Sequence, residues 1–97
     1  MPMGEFYRGG NSLKPRSQDV RIDPVTGLIQ PTHGISVFDE PVGLDLFGGA
    51  YRVTAVPDTL KVIRRGRNPH HYEIVPAHPM TLPEYEKALE QIVLIAA

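Results

Sequence analysis

The chain has 97 residues, of which 41% are apolar and 22% are charged, and its formal net charge is −1. This length suits one domain, residues 1–97, with a single modest core. The absence of cysteine excludes disulfides, cysteine nucleophiles and thiolate metal sites. No apolar run approaches the roughly 20 residues of a membrane span, and no N-terminal signal pattern is present. We therefore expect a protein that works inside a cell.

Turn-forming residues divide most of the chain into short segments. Ten prolines and nine glycines favour many turns and few long elements. Alternating apolar residues predict short strands, at 5–8, 35–38, 51–56 and 60–63. Residues 11–31 are polar and rich in turn formers, with brief strand candidates at 20–22 and 28–29. Residues 44–47 fit either a helical turn or a buried loop. Residues 64–69 then form a basic, hairpin-like loop.

The last third of the chain is the best determined. Residues 71–75 read as a strand, whose alternation places His71 and Glu73 on one face and Tyr72 on the other. Thr81 and Glu84 then have the spacing of a capping box. Apolar residues repeat at helical spacing from Leu82 through Val93, which predicts one long C-terminal helix that packs on a sheet. The fold class is therefore α+β, with an antiparallel sheet and one long helix.

Most of the familiar chemical motifs are missing. Neither glycine-rich nucleotide fingerprint is present, and Ser36 lacks the G-x-S-x-G context of many hydrolases. The histidines do not have the spacing of a metal site, so we expect them to be hydrogen-bonding or surface groups. They are His33, His70, His71 and His78. Three arginines in the basic loop fit either a solvated loop or a contact with phosphate or an acidic partner, and these are Arg64, Arg65 and Arg67.

One group of residues combines the side chains that catalysis needs. Arg8 ends the first predicted strand, Ser36 lies within the second, and His71 shares a strand face with Glu73. Short strands flanked by loops commonly line a cleft. We therefore treat these four residues as candidate catalytic residues, although each also has an ordinary structural explanation.

Three segments also resemble a known family. They are Gly34-Ile-Ser-Val-Phe-Asp39, Leu60-Lys-Val62 and His71-Tyr-x-Ile-x-Pro-Ala-x-Pro-Met80, the last being the most specific. Together with Tyr7-Arg8 and Pro15-Arg16, they resemble a family of toxins with an ADP-ribosyltransferase-like fold, typified by a bacterial type VI secretion effector. The resemblance extends from residue 29 to the C-terminus and is loose before that.

The resemblance implies a split antiparallel sheet around a crevice that holds NAD. Transferases of this fold usually combine an arginine or histidine on an early strand, a serine or tyrosine on a middle strand, and a late glutamate. By this resemblance, Arg8 corresponds to the early basic residue, Ser36 to the middle-strand hydroxyl and His71 to the family's strand histidine. Glu73 is the candidate for the late glutamate, although the family need not have an acid there, and Ile35 replaces the threonine that the family has before its serine. Cofactor contacts are assigned to three further residues: Tyr7, Arg16 and Tyr72.

The same resemblance implies a toxin that acts in the bacterial cytoplasm, either delivered by secretion without a cleaved signal or resident beside an antitoxin. A cognate immunity protein would then be its partner, and the target of modification leaves no mark in the sequence. Two alternatives stay open. One is an RNA- or ribosome-directed toxin, against which the near-neutral charge argues and for which the three loop arginines argue. The other is a non-catalytic interaction module on the same fold.

Overall fold

A computed structural model describes residues 5–97, and the strands within that range form one antiparallel sheet. The strands are β1 (Phe6–Gly9), β2 (Ile35–Phe38), β3 (Ala50–Thr54), β4 (Leu60–Arg64), β5 (His71–Pro76) and β6 (Val93–Ala96), and the helix is α1 (Leu82–Glu90). The order across the sheet is β4-β5-β2-β1-β3-β6. The predicted combination of an antiparallel sheet with one helix is therefore confirmed. No helix among residues 5–97 is long and apolar enough to cross a bilayer.

The weakest join in this sheet lies between β1 and β2. These strands share a single registered pair, Tyr7 with Phe38, whereas every other pair of neighbours shares four or five. The strands named above all belong to one sheet, but the pairing between β1 and β2 is limited to this single pair. We call this junction the seam. Beyond Gly9 the chain turns away at Gly10, whose φ of 81° suits glycine. The seam is consequently the natural opening in the sheet.

The hairpin of β4 and β5 and the neighbouring β2 carry the core on one face. Ile35 pairs with Ile74 and Val37 with Tyr72, so these side chains share the face that α1 covers. Ser36 pairs with Glu73 and Phe38 with His71 on the opposite face. The alternation predicted for residues 71–75 is thus observed. The buried cluster consists of Ile29, Ile35, Val37, Leu60, Ile74, Met80, Tyr85, Ala88, Leu89 and Ile92.

The helix begins where the sequence predicts and ends earlier. The Thr81 hydroxyl accepts from the Glu84 backbone N–H, and the Glu84 carboxylate accepts from that of Thr81, which closes the capping box. Yet α1 stops at Glu90, and residues 93–96 form β6. The predicted helix is therefore observed, but its expected extension through Val93 is wrong. Pairing of β6 with β3, which lies about 40 residues earlier, outweighs the helical spacing of Val93.

The polar segment before β2 contains little regular structure. It holds a short 3₁₀ helix at Ser17–Asp19, and isolated bridges join Ile22 to Ile29 and Ile29 to Met80. The brief strands expected at 20–22 and 28–29 are therefore single bridges. Residues Leu44–Phe47 form a 3₁₀ turn. The buried Ile29 bonds to the Met80 backbone in both directions, which ties this segment to the start of α1.

Two side chains hold the beginning of β2 in place. The hydroxyl of the fully buried Tyr85 accepts from the Ile35 backbone N–H at 3.2 Å and donates to the Ile74 carbonyl at 2.6 Å. Just before Ile35, the Gly34 backbone N–H donates to the Glu73 carboxylate at 3.0 Å. The helix and β5 therefore fix together the point where β2 enters the sheet.

Gly34 leaves no room for a side chain. A Cβ at this position would overlap the Ile74 carbonyl oxygen and would approach the Tyr85 hydroxyl. We expect Gly34→Ala to lower the free energy of unfolding in urea by roughly 3 kcal/mol or more. Gly27→Ala is the matched control, because Gly27 has a φ of 72° but nothing within 4 Å. It should cost only the roughly 1–2 kcal/mol of left-handed backbone strain. Equal losses would contradict the steric explanation.

Burial raises the pKa of Tyr85 to about 12. Because the folded chain favours the neutral phenol, its contribution is complete below the unfolded pKa of about 10 and is lost as the pH rises through 12. We expect Tyr85→Phe to lower the free energy of unfolding by about 1–3 kcal/mol at pH 7, since it removes buried hydrogen bonds to the backbone of Ile35 and Ile74. Between pH 10 and 12, the free energy of unfolding should fall less steeply in this variant than in the wild type. Tyr51→Phe, on β3, should leave the free energy of unfolding at pH 7 unchanged.

Candidate functional site

A cleft of about 610 Å³ opens at the seam between β1 and β2. This volume is in the range of small-molecule sites in proteins. Three of the predicted site residues, Arg8, Arg16 and Ser36, line it. The remaining lining residues are Gly9, Ser12, Lys14, Pro15, Asp19, Phe38 and Phe47. The wall of the cleft is therefore built from β1 and β2, from the loop that follows β1 and from Phe47, which lies between β2 and β3.

Arg8 is held at the seam by backbone carbonyls. Its Nε donates to the Ser12 carbonyl at 3.0 Å and its Nη1 to the Ser36 carbonyl at 2.7 Å. Burial lowers the pKa of Arg8 from its usual value, and the nearby negative charge of Asp19 partly offsets this effect. A guanidinium nevertheless stays protonated in proteins. Within residues 5–97, no carboxylate lies within 4.0 Å of it. The cleft thus contains a partly buried cation that is not neutralised by an ion pair.

Ser36 and His71 form a direct side-chain pair. The Ser36 Oγ lies 2.9 Å from the His71 Nε2, and the His71 Nδ1 lies 2.6 Å from the Arg65 carbonyl oxygen. The ring also meets Phe38 edge to face, with centroids 5.5 Å apart. His71 is therefore fixed on three sides, and it is connected to the cleft through Ser36.

Glu73 is the one buried charged residue in the described part of the chain, with 7% of its surface exposed. Its Oε1 accepts from the Gly34 backbone N–H and lies 3.2 Å from the Arg65 Nε. Its Oε2 lies 3.8 Å from the His71 Nε2, which is beyond hydrogen-bond distance. The carboxylate therefore compensates Arg65 and stands behind His71, and it is not among the groups that line the cleft.

The three residues predicted to bind a cofactor lie in different places. Arg16 lines the cleft, but it forms an ion pair with Asp19 at 3.2 Å and its side chain is 69% exposed. Tyr7 pairs with Phe38, so it is on the face of the sheet that carries His71, and its hydroxyl donates to Glu5. Neither Tyr7 nor Tyr72 lines the cleft.

Tyr72 belongs to the other face. Its ring packs edge to face on Phe6, with centroids 4.8 Å apart, beside the core. The Tyr72 ring is therefore on the opposite face of the sheet from His71. Its position supports packing of β5 against the core side of β1.

The basic loop divides into one site residue and two surface residues. Arg65 bonds to Glu73 and His71, whereas Arg64 and Arg67 are exposed. His70, at the end of the loop, lies 2.8 Å from Asp39 and 3.6 Å from Glu40. Among residues 5–97, no group of three or more histidine, aspartate or glutamate side chains is arranged to hold a metal ion.

Of the four candidate catalytic residues, Arg8 and Ser36 line the cleft, whereas His71 and Glu73 do not. The sequence did not show how these residues are connected. Arg8 meets Ser36 through a backbone carbonyl, and Ser36 meets His71 through its hydroxyl. Sequence reasoning missed the role of Arg65 beside Glu73 and that of Asp19 beside Arg16. The i,i+3 spacing of Arg16 and Asp19 was a usable signal, whereas the contact between Arg65 and Glu73 depends on how the hairpin closes.

Comparison with known proteins adds no further assignment: the chain matches no family model, no curated protein and no solved structure. Any functional interpretation consequently depends on the geometry of the cleft and on the sequence motifs.

The pair formed by Arg65 and Glu73 can be tested against its neighbour in the same loop. Arg65→Ala leaves a buried carboxylate with only the Gly34 N–H and should lower the free energy of unfolding. Because the Arg65 side chain is 41% exposed, solvent screens the pair, and we expect a loss of about 1 kcal/mol. Arg67→Ala should change it by less than about 0.5 kcal/mol. Equal effects in urea titrations would show that Arg65 contributes no more than a surface arginine.

Proposed function

We propose that this chain is a toxin domain of the ADP-ribosyltransferase-like type that binds NAD in the cleft and acts in the bacterial cytoplasm. The observation that carries the proposal is the position of Arg8, a partly buried cation without an ion pair, in a cleft that also contains Ser36 and Arg16. Guanidinium groups bind phosphate through parallel hydrogen bonds. A dinucleotide has a diphosphate and two riboses, which suits a cleft with both cationic and hydroxyl groups.

Arg8 can receive an anion without losing its present bonds. A guanidinium has five N–H donors, and the contacts to the Ser12 and Ser36 carbonyls use one donor each. The remaining donors are the ones that we assign to a diphosphate. Arg16, in the loop that follows β1, also lines the cleft and adds a second guanidinium, although it already forms an ion pair with Asp19. We assign Arg8 the principal contact and Arg16 a supporting one.

The reaction proposed is cleavage of the bond between nicotinamide and ribose. This bond breaks through an oxocarbenium-like state, which a nearby negative charge stabilises. Glu73 is on the same face of the sheet as Ser36, and its carboxylate lies 3.8 Å from His71. We assign it an electrostatic role that acts through His71. Ser36, which lines the cleft, would position the ribose next to the reacting carbon, and His71 would hold the Ser36 hydroxyl.

A cognate immunity protein is the proposed partner, since a cytoplasmic toxin of this type must be neutralised in the cell that makes it. An inhibitor that covers the mouth of the cleft would block the entry of NAD.

The decisive experiment is induced expression in bacteria, with growth and cellular NAD measured together. Wild-type chain should arrest growth and lower NAD, whereas Arg8→Ala, His71→Gln and Glu73→Gln should each relieve both effects at equal expression. Arg52→Ala, on β3 outside the cleft, should remain as toxic as the wild type. Circular dichroism of the purified variants checks that they fold, and calorimetry with NAD should detect binding that Arg8→Ala weakens by at least about tenfold.

Other results would point to other functions. Growth arrest with unchanged NAD and no binding of NAD would overturn the assignment of the nucleotide. Cleavage of RNA without added dinucleotide, with strong dependence on salt, would favour the RNA-directed toxin. No effect on growth would favour a non-catalytic interaction module.

A further inference from the structure

Ser36 has the environment of an activated nucleophile, a feature that binding of NAD does not require. Its Oγ lies 2.9 Å from the His71 Nε2. A serine hydroxyl is a weak nucleophile until an adjacent base accepts its proton. Whether His71 acts as that base depends on which of its ring nitrogens carries the proton.

The backbone around Arg65 decides the tautomer of His71. A carbonyl oxygen only accepts hydrogen bonds, so the 2.6 Å contact between the Arg65 oxygen and Nδ1 requires a proton on Nδ1. In the neutral ring, Nε2 then carries a lone pair, and that lone pair faces Ser36. The Ser36 hydroxyl must therefore be the donor in its bond to His71. This arrangement of nucleophile, base and orienting acceptor is the one that acyl-transfer sites use.

Two charged groups are placed to support such a reaction. The Glu73 Oε2, 3.8 Å from Nε2, stabilises the imidazolium that forms when His71 takes the proton. On the other side, the Arg8 Nη1 donates to the Ser36 backbone carbonyl at 2.7 Å, so a guanidinium lies next to the backbone of the attacking residue. A cation in the cleft favours negative charge that develops there. Ser36 also lines the open cleft, which gives a substrate access to it.

We propose that Ser36 is a nucleophilic serine, activated by His71, which reacts with electrophilic acyl and phosphonyl groups in the cleft. In the acyl reaction, a bond forms between the Ser36 Oγ and the carbonyl carbon, and the hydroxyl proton passes to the His71 Nε2. The bond to the leaving group then breaks, and the leaving group takes that proton. Water, deprotonated by His71, releases the acid and regenerates Ser36. This reactivity is independent of the proposed function, because no step involves NAD.

A fluorophosphonate probe tests the proposal directly on the purified chain without NAD. Mass spectrometry should locate the label on Ser36, with fluoride as the leaving group. Ser36→Ala should abolish labelling, and His71→Gln should slow it by at least about 100-fold, the lower range for general-base catalysis. Ser17→Ala, at an exposed serine outside the cleft, should label at the wild-type rate. Absence of labelling, or labelling that persists in Ser36→Ala, would overturn the proposal.

The lack of native cysteine allows a second test. Ser36→Cys and Ser12→Cys each contain a single thiol in the same cleft, and only the former contacts His71. An adjacent base favours the thiolate, so iodoacetamide should alkylate Ser36→Cys at pH 7 at least about tenfold faster than Ser12→Cys. Adding His71→Gln to Ser36→Cys should remove this advantage. Equal rates in the two single variants would show that His71 does not activate position 36.

Discussion

The buried carboxylate of Glu73 is the interaction on which the site depends. It accepts from the backbone at Gly34, where β2 begins, and it pairs with Arg65 in the loop between β4 and β5. The same loop residue accepts from His71 through its carbonyl. A buried carboxylate is tolerated only when hydrogen bonds and a counter-charge compensate for lost hydration. Because those compensating groups come from separate segments, the requirement fixes their positions relative to one another.

Arg8 contributes to the other half of the site through the seam. In a continuous antiparallel ladder the backbone of β1 would pair with β2 beyond Tyr7, but the registered pairing stops there. The Arg8 guanidinium instead donates to the Ser36 carbonyl at 2.7 Å. Phe47 packs so closely over Gly9 that a Cβ there would clash with it. The cleft is therefore a consequence of replacing backbone hydrogen bonds by a side chain, and the same replacement brings a cation into it.

Local signals in the sequence were sufficient for much of the fold. The capping box of Thr81 and Glu84 and the alternation from His71 onward involve residues close in sequence, and both are observed. The end of α1 was not predictable in this way. Ile92 and Val93 continue the helical spacing, and only the pairing of Val93 with Thr54 turns the chain into a strand. Local periodicity cannot reveal a competing partner that lies 39 residues away.

The candidate site, like the fold, was predictable only where the signals are local. Residue types and strand faces could be read from the sequence, and the expected shared face of His71 and Glu73 is observed. The order of the strands could not be read, because β1 lies between β2 and β3 instead of at an edge. The sequence also could not show which arginine pairs with Glu73. Arg65 is one of three arginines in a short loop, and its contact with Glu73 depends on how the hairpin closes.

The two halves of the site are consequently held by different means, and this bears on how a ligand would act. His71 and Glu73 belong to a hairpin with five registered pairs, which fixes their geometry before any ligand arrives. Arg8 spans a seam with one registered pair, so its distance from Ser36 depends on how far β1 and β2 separate. An anion bound to Arg8 would contact the same side chain that bonds to Ser36 across the seam. Binding at the cationic half would therefore be coupled to the spacing of the strands, while the Ser36–His71 pair stays anchored to β5.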